Sequence, residues 1–425
     1  MTLKFKWETE FKETEIGETP KDWEVRKIGI VAKVNEELIN KNYNYKIIEY
    51  IDINSVESGL ILEKKVIPLE IAPTRARRVV RNNDILLSTV RPNLRHYAFV
   101  KYSKPNTIAS TGFAVIRARN IAPRYLYYYI TTDFVTEYLT QIAETHTSAY
   151  PSFTPDVVEN LKTPYPSPHE QSRIATVLSW FDDLIENKKR QNEILEKVAM
   201  AIFKSWFVDF EPFKDEEFVY SEELGKEIPE GWEVDFATRL IDYNPSIRLE
   251  KEEVYPFVEM KQVYTNSAVC EFSFRKFNGS GVKYYGGDTL MARITPSLEH
   301  GKTAFVWFIS ENEKGFGTTE FFVLHPKKSW LKEFIYLLAK NEDFRDTAIN
   351  SMTGTSGRQR ADVEALKSYL IPIPPPLILQ KFHSLVEPLF QKIILNQKQT
   401  MILRKIRDTL LPKLVFGKLR VEVLR

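Results

Sequence analysis

From Ile174 onward, apolar side chains recur at alternating steps of four and three. The stripe runs Ile174, Leu178, Phe181, Ile185, then the polar Lys188 and Asn192, then Leu195, Ala199 and Ile202. That spacing holds one stripe on one side of a helix and is the heptad seam of helices packed side by side. A shift of 208 residues, from Ile174 to Phe382, lands on a second stripe: Phe382, Val386, Leu389, Ile393, Asn396, Thr400, Leu403, Arg407 and Leu410. Both stripes begin apolar and turn polar in the middle. A proline cluster precedes each, Thr163-Pro-Tyr-Pro-Ser-Pro and Pro372-Ile-Pro-Pro-Pro, and proline stops one element and launches the next because it blocks helix interiors and extends the residue before it. A helix of about forty residues is about 60 Å long at 1.5 Å per residue, more than a small core requires. The pattern predicts two rods packed on each other as a coiled coil, with the central polar residues setting register and direction. Two amphipathic helices lying on separate cores are the plainer alternative.

Outside the rods the period changes from helix to strand. Glu49–Asn54, Asp84–Val90, His96–Lys101 and Gly112–Arg117 are short β-branched or aromatic runs bounded by Gly, Pro, Asn and Asp, the marks of strands. Helical spacing returns over Arg124–Gln141 and again over Trp330–Ala339. Lys214–Glu223, acidic and poor in large side chains, has the composition of a linker.

The chain is also written twice. Ile16-Gly-Glu-Thr-Pro-Lys-Asp-Trp-Glu-Val25 is echoed by Leu224-Gly-Lys-Glu-Ile-Pro-Glu-Gly-Trp-Glu-Val234, and Asp84–Leu94 by Asp288–Leu298. Ala98-Phe-Val returns as Ala304-Phe-Val, and Asp156-Val as Asp362-Val. A repeat of this length gives each copy room for its own core, so the expected fold class is α+β: two mixed globular domains, each followed by a rod, in a pseudo-two-fold repeat.

Composition narrows the function classes. The chain has 425 residues, 43% hydrophobic and 27% charged, ample for real cores in two or three domains. The formal charge is only +2, so any affinity for nucleic acid rests on local patches. A lone cysteine, Cys270, leaves no internal disulfide and no cysteine metal cluster. Without a signal-type opening or a long uncharged apolar run, the expected location is the cytoplasm, with no membrane partner.

One local patch stands out. Between Ile71 and His96 lie Arg75, Arg77, Arg78, Arg81, Arg91 and Arg95 against a single acid, Asp84. Such an excess neutralises phosphates, and arginine is the usual reader of guanine while Asn93 suits adenine, so Arg75, Arg77, Arg78, Arg91, Asn93, Arg95 and His96 are candidate DNA contacts. A solvated basic face has the same composition. The matching turn in the second copy offers Arg293, Thr295, Ser297, His300 and Lys302, different side chains that would select different bases. A second loop precedes each proline cluster, with Thr145, Thr147, Ser148 and Tyr150 in one copy and Thr355, Ser356, Arg358 and Arg360 in the other. Hydroxyls and scattered cations suit phosphate and base-edge contacts, though plain solvent-exposed turns look alike.

Motifs for chemistry fail in detail. Gly301-Lys-Thr resembles a phosphate loop, but Pro296 stands where that loop needs glycine. Glu63-Lys-Lys65 lacks the spaced aspartate of a nuclease, and Asn244-Pro-Ser lacks the second proline and aromatic residue that grip a flipped base. The histidines His96, His146, His169, His300, His325 and His383 are scattered without ligand spacing and read as surface or satisfied core groups. No catalytic residue, metal site or cofactor is expected.

The opening Ile16–Val25 passage, Pro164-x-Pro-x-Pro-His-Glu-Gln-Ser-Arg-Ile-Ala-Thr-Val-Leu178 and its weaker copy resemble the DNA specificity subunit of type I restriction-modification enzymes. The resemblance covers nearly the whole chain. It implies target recognition domains at 1–165 and 213–372 and antiparallel spacer helices at 166–212 and 373–425. It also implies double-stranded DNA, DNA methyltransferase subunits and a restriction/translocase subunit as partners. S-adenosylmethionine would serve the methyltransferase subunits. The second hinge, Pro374-Pro-Pro-Leu-Ile-Leu-Gln380, departs from the pattern by lacking a counterpart of Glu170. Two rivals are a scaffold with duplicated interaction domains, which leaves the arginine cluster unexplained, and a self-contained methyltransferase or nuclease, which needs glycine or carboxylate motifs not found.

Overall fold

The computed structural model describes residues 3–40, 42–146, 150–355 and 357–423. Two helices of 40 residues, Pro168–Phe207 and Pro376–Val415, start on prolines of the two clusters, where the missing N–H costs nothing. Pro388 and Pro412 lie inside the second helix, which continues through them. Both face solvent, where a lost backbone bond meets water, and the buried seam on the opposite side carries the helix past them.

The chain divides into two compact units, Met1–Leu184 with Leu403–Arg425, and Ile185–Ile402, so each long helix contributes one part to each unit. The first unit holds two four-stranded sheets. In one the strand order is Ala76–Val79, Thr107–Ser110, Ile47–Ile51, Lys65–Pro68, and in the other Tyr97–Phe99, Ile85–Ser88, Phe113–Ala118, Ala32–Val34. The second unit repeats both orders. There the sheets run Val282–Tyr285, Lys314–Gly317, Val254–Val258, Ser273–Lys276, and Thr303–Phe305, Thr289–Ala292, Phe321–Pro326, Ile241–Tyr243. Even the one parallel pairing recurs, Ile47–Ile51 beside Thr107–Ser110 and Val254–Val258 beside Lys314–Gly317.

Some sequence expectations shift. Arg124–Gln141 is two helices, Pro123–Ile130 and Asp133–His146, broken where Thr131 and Thr132 turn their hydroxyls back onto Tyr128 O and Tyr129 O. The linker reading of Lys214–Glu223 is corrected: Phe218–Ser221 is a strand paired with Lys226–Pro229, and Phe210 and Phe213 beside it are buried on Trp232.

Each unit is tied by a buried carboxylate at the same turn. Asp84 accepts the Arg81 N–H and both prongs of Arg117 at 2.9 Å, while Asp288 accepts the Tyr285 N–H and faces His325 Nδ1 at 2.6 Å. The residue before each acid, Asn83 at φ 68° and Gly287 at φ 84°, occupies the left-handed region that these two residue types tolerate best. His325 is thus a satisfied, half-buried histidine, and so is His383, whose Nδ1 lies 2.8 Å from the buried Glu333.

In the first unit the terminal strands Leu3–Trp7 and Leu419–Val423 pair antiparallel. Arg420, on the second of these, binds Glu8, Asp22 and Glu170, and Glu170 also accepts the Trp23 indole N–H at 3.1 Å. This gives the odd second hinge a physical meaning. Ile378 stands 208 residues after Glu170, and the buried Trp232 Nε1 has no partner among the described residues. No helix among the described residues is long and apolar enough to cross a membrane.

Two predictions follow from these pairs. Asp288 holds the His325 imidazole above its ordinary value, and burial raises the Asp288 carboxyl, so both shifts make stability fall as pH rises. His325 contributes fully below about pH 6.5 and loses its contribution through its raised folded value. Between pH 6 and 9 the native chain should lose about 2–4 °C of melting temperature relative to His325→Arg, as read by calorimetry. Glu170→Gln, which leaves Arg420 short of a buried partner, should cost about 3 kcal/mol in urea denaturation.

Candidate nucleic-acid interface

The arginine loop of the first unit follows an interior strand, Ile85–Ser88. After it, Arg91 at φ 48° and Arg95 at φ 57° flank the short 3-10 turn Pro92–Leu94, with Pro92 buried as its anchor. Left-handed backbone at a non-glycine residue costs energy and persists only where neighbours over-determine it. The neighbours are on two segments. Thr89 N donates to Gly112 O at 2.8 Å, Phe153 N to Thr89 O at 3.0 Å, and Arg91 N to Pro151 O at 2.8 Å.

The same three bonds close the second unit. Arg293 N donates to Glu320 O at 2.9 Å, Ala361 N to Arg293 O at 2.8 Å, and Thr295 N to Gln359 O at 3.0 Å. The two candidate loops of each copy, far apart in the chain, are therefore stitched side by side by backbone. In the first unit the side chains meet as well, the Arg91 guanidinium lying 5.1 Å from the centre of the exposed Tyr150 ring.

The electrostatics differ from the linear count of six arginines to one acid. Folding brings Asp52 to Arg75 at 2.5 Å, Glu37 to Arg81 at 2.5 Å and Asp133 to Arg95 at 2.7 Å. The Arg81 contact holds the Glu37 carboxyl below its usual range, and the Tyr50 hydroxyl and Asp52 raise Arg75. Arg77 and Arg91 are exposed, and Arg77 Nε donates to Thr74 O. Arg78 is half-buried: one nitrogen donates to Thr111 O, Nε and Nη1 meet no acceptor among the described residues, and burial lowers its pKa. Asn93 is exposed, and His96 Nδ1 lies 2.5 Å from Val56 O, which turns the ring inward.

In the second unit Arg293 donates to Ala361 O and lies over Phe322, Thr295 bonds Gln359 O, and Lys302 donates to Met260 O. Those three side chains hold the turn, whereas His300 is exposed and Ser297 is half-buried. On the neighbouring loop Thr355 and Arg358 are exposed, and Arg360 forms a two-pronged pair with Glu320. Thr145 is exposed on a helix end and bonds Ile142 O; Thr147, Ser148 and Ser356 lie outside the described residues. Sequence reasoning missed Glu320, Asp52 and Glu37; the return of a turn at Thr111-Gly112 and Thr319-Glu320 is a signal for Glu320 alone.

The rod positions are buried or half-buried throughout both stripes. In the first unit Ile174 and Leu178 share a core with Leu414 and Val415, Phe181 and Leu410 pack against it, and Arg407 binds Asp182 at 2.7 Å. In the second unit Lys188 reaches Gln399, Asn396 donates to Asn192 Oδ1 at 2.9 Å, and Phe203 meets Phe382. Numbers rise on one helix as they fall on the other, so these segments run antiparallel. Ile185 and Val386 are buried, Ile393 takes the Asn192 amide on its carbonyl, and Leu195 and Leu389 pack on the same core. Among the described residues no group of three or more His, Cys, Asp or Glu side chains is placed to hold a metal.

Comparison with known proteins agrees with this architecture. Residues 20–197 and 233–403 match the model of the type I restriction modification DNA specificity domain. The chain is 39% identical to the type I restriction enzyme MjaIX specificity subunit of Methanocaldococcus jannaschii, over 99% of each chain. It is 29% identical to the HindI specificity subunit of Haemophilus influenzae over 43% of this chain and 40% of that one. The solved type I restriction-modification S subunit from M. genitalium has the same fold, with a TM-score of 0.51, 16% identity, and coverage of 92% of this chain and 96% of that one. Two copies of the specificity domain in one chain, with a full-length relative of the same kind, establish that this protein belongs to the type I restriction-modification DNA specificity family.

Proposed function

We propose that this chain is the sequence-reading subunit of a type I restriction-modification complex and that it reads an interrupted DNA target, one half with each globular part. The chain itself is non-catalytic. It binds DNA and assembles with methyltransferase and restriction subunits, which carry out the chemistry. The observation that supports the two-part reading most directly is the recurrence of the same backbone-stitched loop pair in each unit with unlike side chains around it. Like geometry presenting different donors is what two dissimilar half-sites require.

In this reading 1–165 and 213–372 are the recognition domains, and 166–212 and 373–425 are the spacer. Arg77, Arg91, Asn93, Tyr150, His300 and Arg358 are the outward-facing candidates for DNA. Arg75, Arg78, Arg95, His96, Arg293, Thr295, Ser297, Lys302, Thr145 and Thr355 shape the loops and supply further contacts. The long helices act as an antiparallel coiled-coil ruler relating the two domains by an approximate two-fold axis. A helix of about 60 Å compares with about 34 Å per DNA turn, so the half-sites lie one to two turns apart.

Mapping of methylated adenines in DNA treated with the reconstituted complex tests both claims. Arg91→Ala should weaken binding in a salt-dependent way and relax one half-site only; equal relaxation of both would contradict the domain assignment. Deleting one heptad from each long helix removes about 10 Å of rod and should shorten the unread gap by about three base pairs with both half-sites retained. An unaltered gap would exclude the ruler.

A further inference from the structure

Arg360 and Glu320 differ from every other charged pair at the two stitched loops in where they sit. Both belong to the bonded segments themselves. Glu320 gives its carbonyl to Arg293 N, and Arg360 is bound through its backbone to Thr353 by N–H···O bonds of 3.0 and 3.1 Å in the two directions. Arg360 also forms a β-bridge with Ile294. The guanidinium meets the carboxylate with two bonds, Nε at 2.9 Å and Nη2 at 2.6 Å. The acid is the more enclosed partner, 23% exposed against 47% for the arginine, so Glu320 is the fixed side and Arg360 the presented one.

In the first unit the equivalent bonds are made by Gly112 and by the segment of Ser152, neither of which carries a charge. The pair is thus an addition to a frame that closes without it.

An arginine has five N–H donors in a planar fork. With the Nε edge occupied by the carboxylate, the outer edge retains the Nη1 donors and the second Nη2 donor, spaced for the O6 and N7 acceptors of guanine. The carboxylate also cancels the positive charge. A cation so neutralised releases little from the counterion atmosphere of DNA and contributes to base choice rather than to salt-dependent affinity. Arg293 lies near enough to lower Glu320 further, although Arg360 is the larger influence.

We propose that Glu320 is a positioning residue that locks Arg360 as a two-pronged reader of one guanine in the half-site taken by the second unit. This deepens the DNA-reading assignment above and rests on it.

The test uses the full chain assembled with its methyltransferase subunits, acting on a plasmid library randomised across the target, with modified adenines mapped by sequencing. The native complex should require guanine at one position of the second half-site. Glu320→Ala and Arg360→Lys should each lose about tenfold to a hundredfold of that preference and leave the other positions unchanged; the salt slope should steepen by up to about one in Glu320→Ala, which frees the cation, and stay as it is in Arg360→Lys. The double exchange Glu320→Arg with Arg360→Glu rebuilds the ion pair and guards against a folding artefact. It should melt near the native temperature yet no longer select guanine.

A second half-site without guanine overturns the proposal. So does a uniform loss across sequences with the salt slope reduced by about one, the mark of a phosphate contact. A guanine preference that survives the double exchange reduces the pair to a latch and likewise overturns it. A native complex with no interrupted motif at all would remove the functional reading first, which separates that failure from this one.

Discussion

The buried amide pair of Asn192 and Asn396 constrains how the long helices meet. An apolar seam alone tolerates sliding by a turn, because one leucine replaces another at little cost. Amides do not. A slip would leave buried N–H and C=O groups without partners, at roughly 1–3 kcal/mol for each group. The register fixed there delivers Phe203, Phe207 and Phe382 into one aromatic core with Trp232 and Phe334. Large rings packed edge to face tolerate little displacement, so the core of the second unit depends on the helix register as much as on its own sheets.

The two units share their strand orders but differ in what fills the polar positions. The acid before the same strand is answered by Arg117 in one unit and by His325 in the other. The hinge tryptophan donates to Glu170 in the first unit, whereas in the second Trp232 packs against Phe207, Phe210 and Phe213 with ring centres 5.2 to 6.1 Å apart. Charge holds one hinge and aromatic packing the other. Each solution lies within its own unit, so the two hinges differ in chemistry while the strand orders stay alike.

Much of this was legible beforehand, for physical reasons. Helix period, proline punctuation and the echoed passages carry the long helices, the two copies and most of the strands of the second sheet in the first of them. Long periodic signals are additive over many residues and survive local exceptions such as Pro388. The candidate loops were also legible as loops, because glycine, proline and hydroxyl residues mark them. What lay hidden was pairing across the chain. Asp52, Glu37 and Asp133 come from distant segments to Arg75, Arg81 and Arg95, and no linear window contains both members of any of those pairs. The terminal strand pair, Leu3–Trp7 with Leu419–Val423, is the extreme case of the same difficulty. The break at Thr131 was missed because threonine hydroxyls compete with the helix only when their own geometry permits it.

The three bonds that stitch the loops run from backbone to backbone, so they make no demand on which side chains the loops carry. Thr89 and Arg293 fill the same role, as do Gly112 and Glu320. The scaffold at the mouth of each domain is therefore blind to the letters it displays. New targets can arise by replacing outward atoms one residue at a time, with the fold bearing almost none of the cost of each trial.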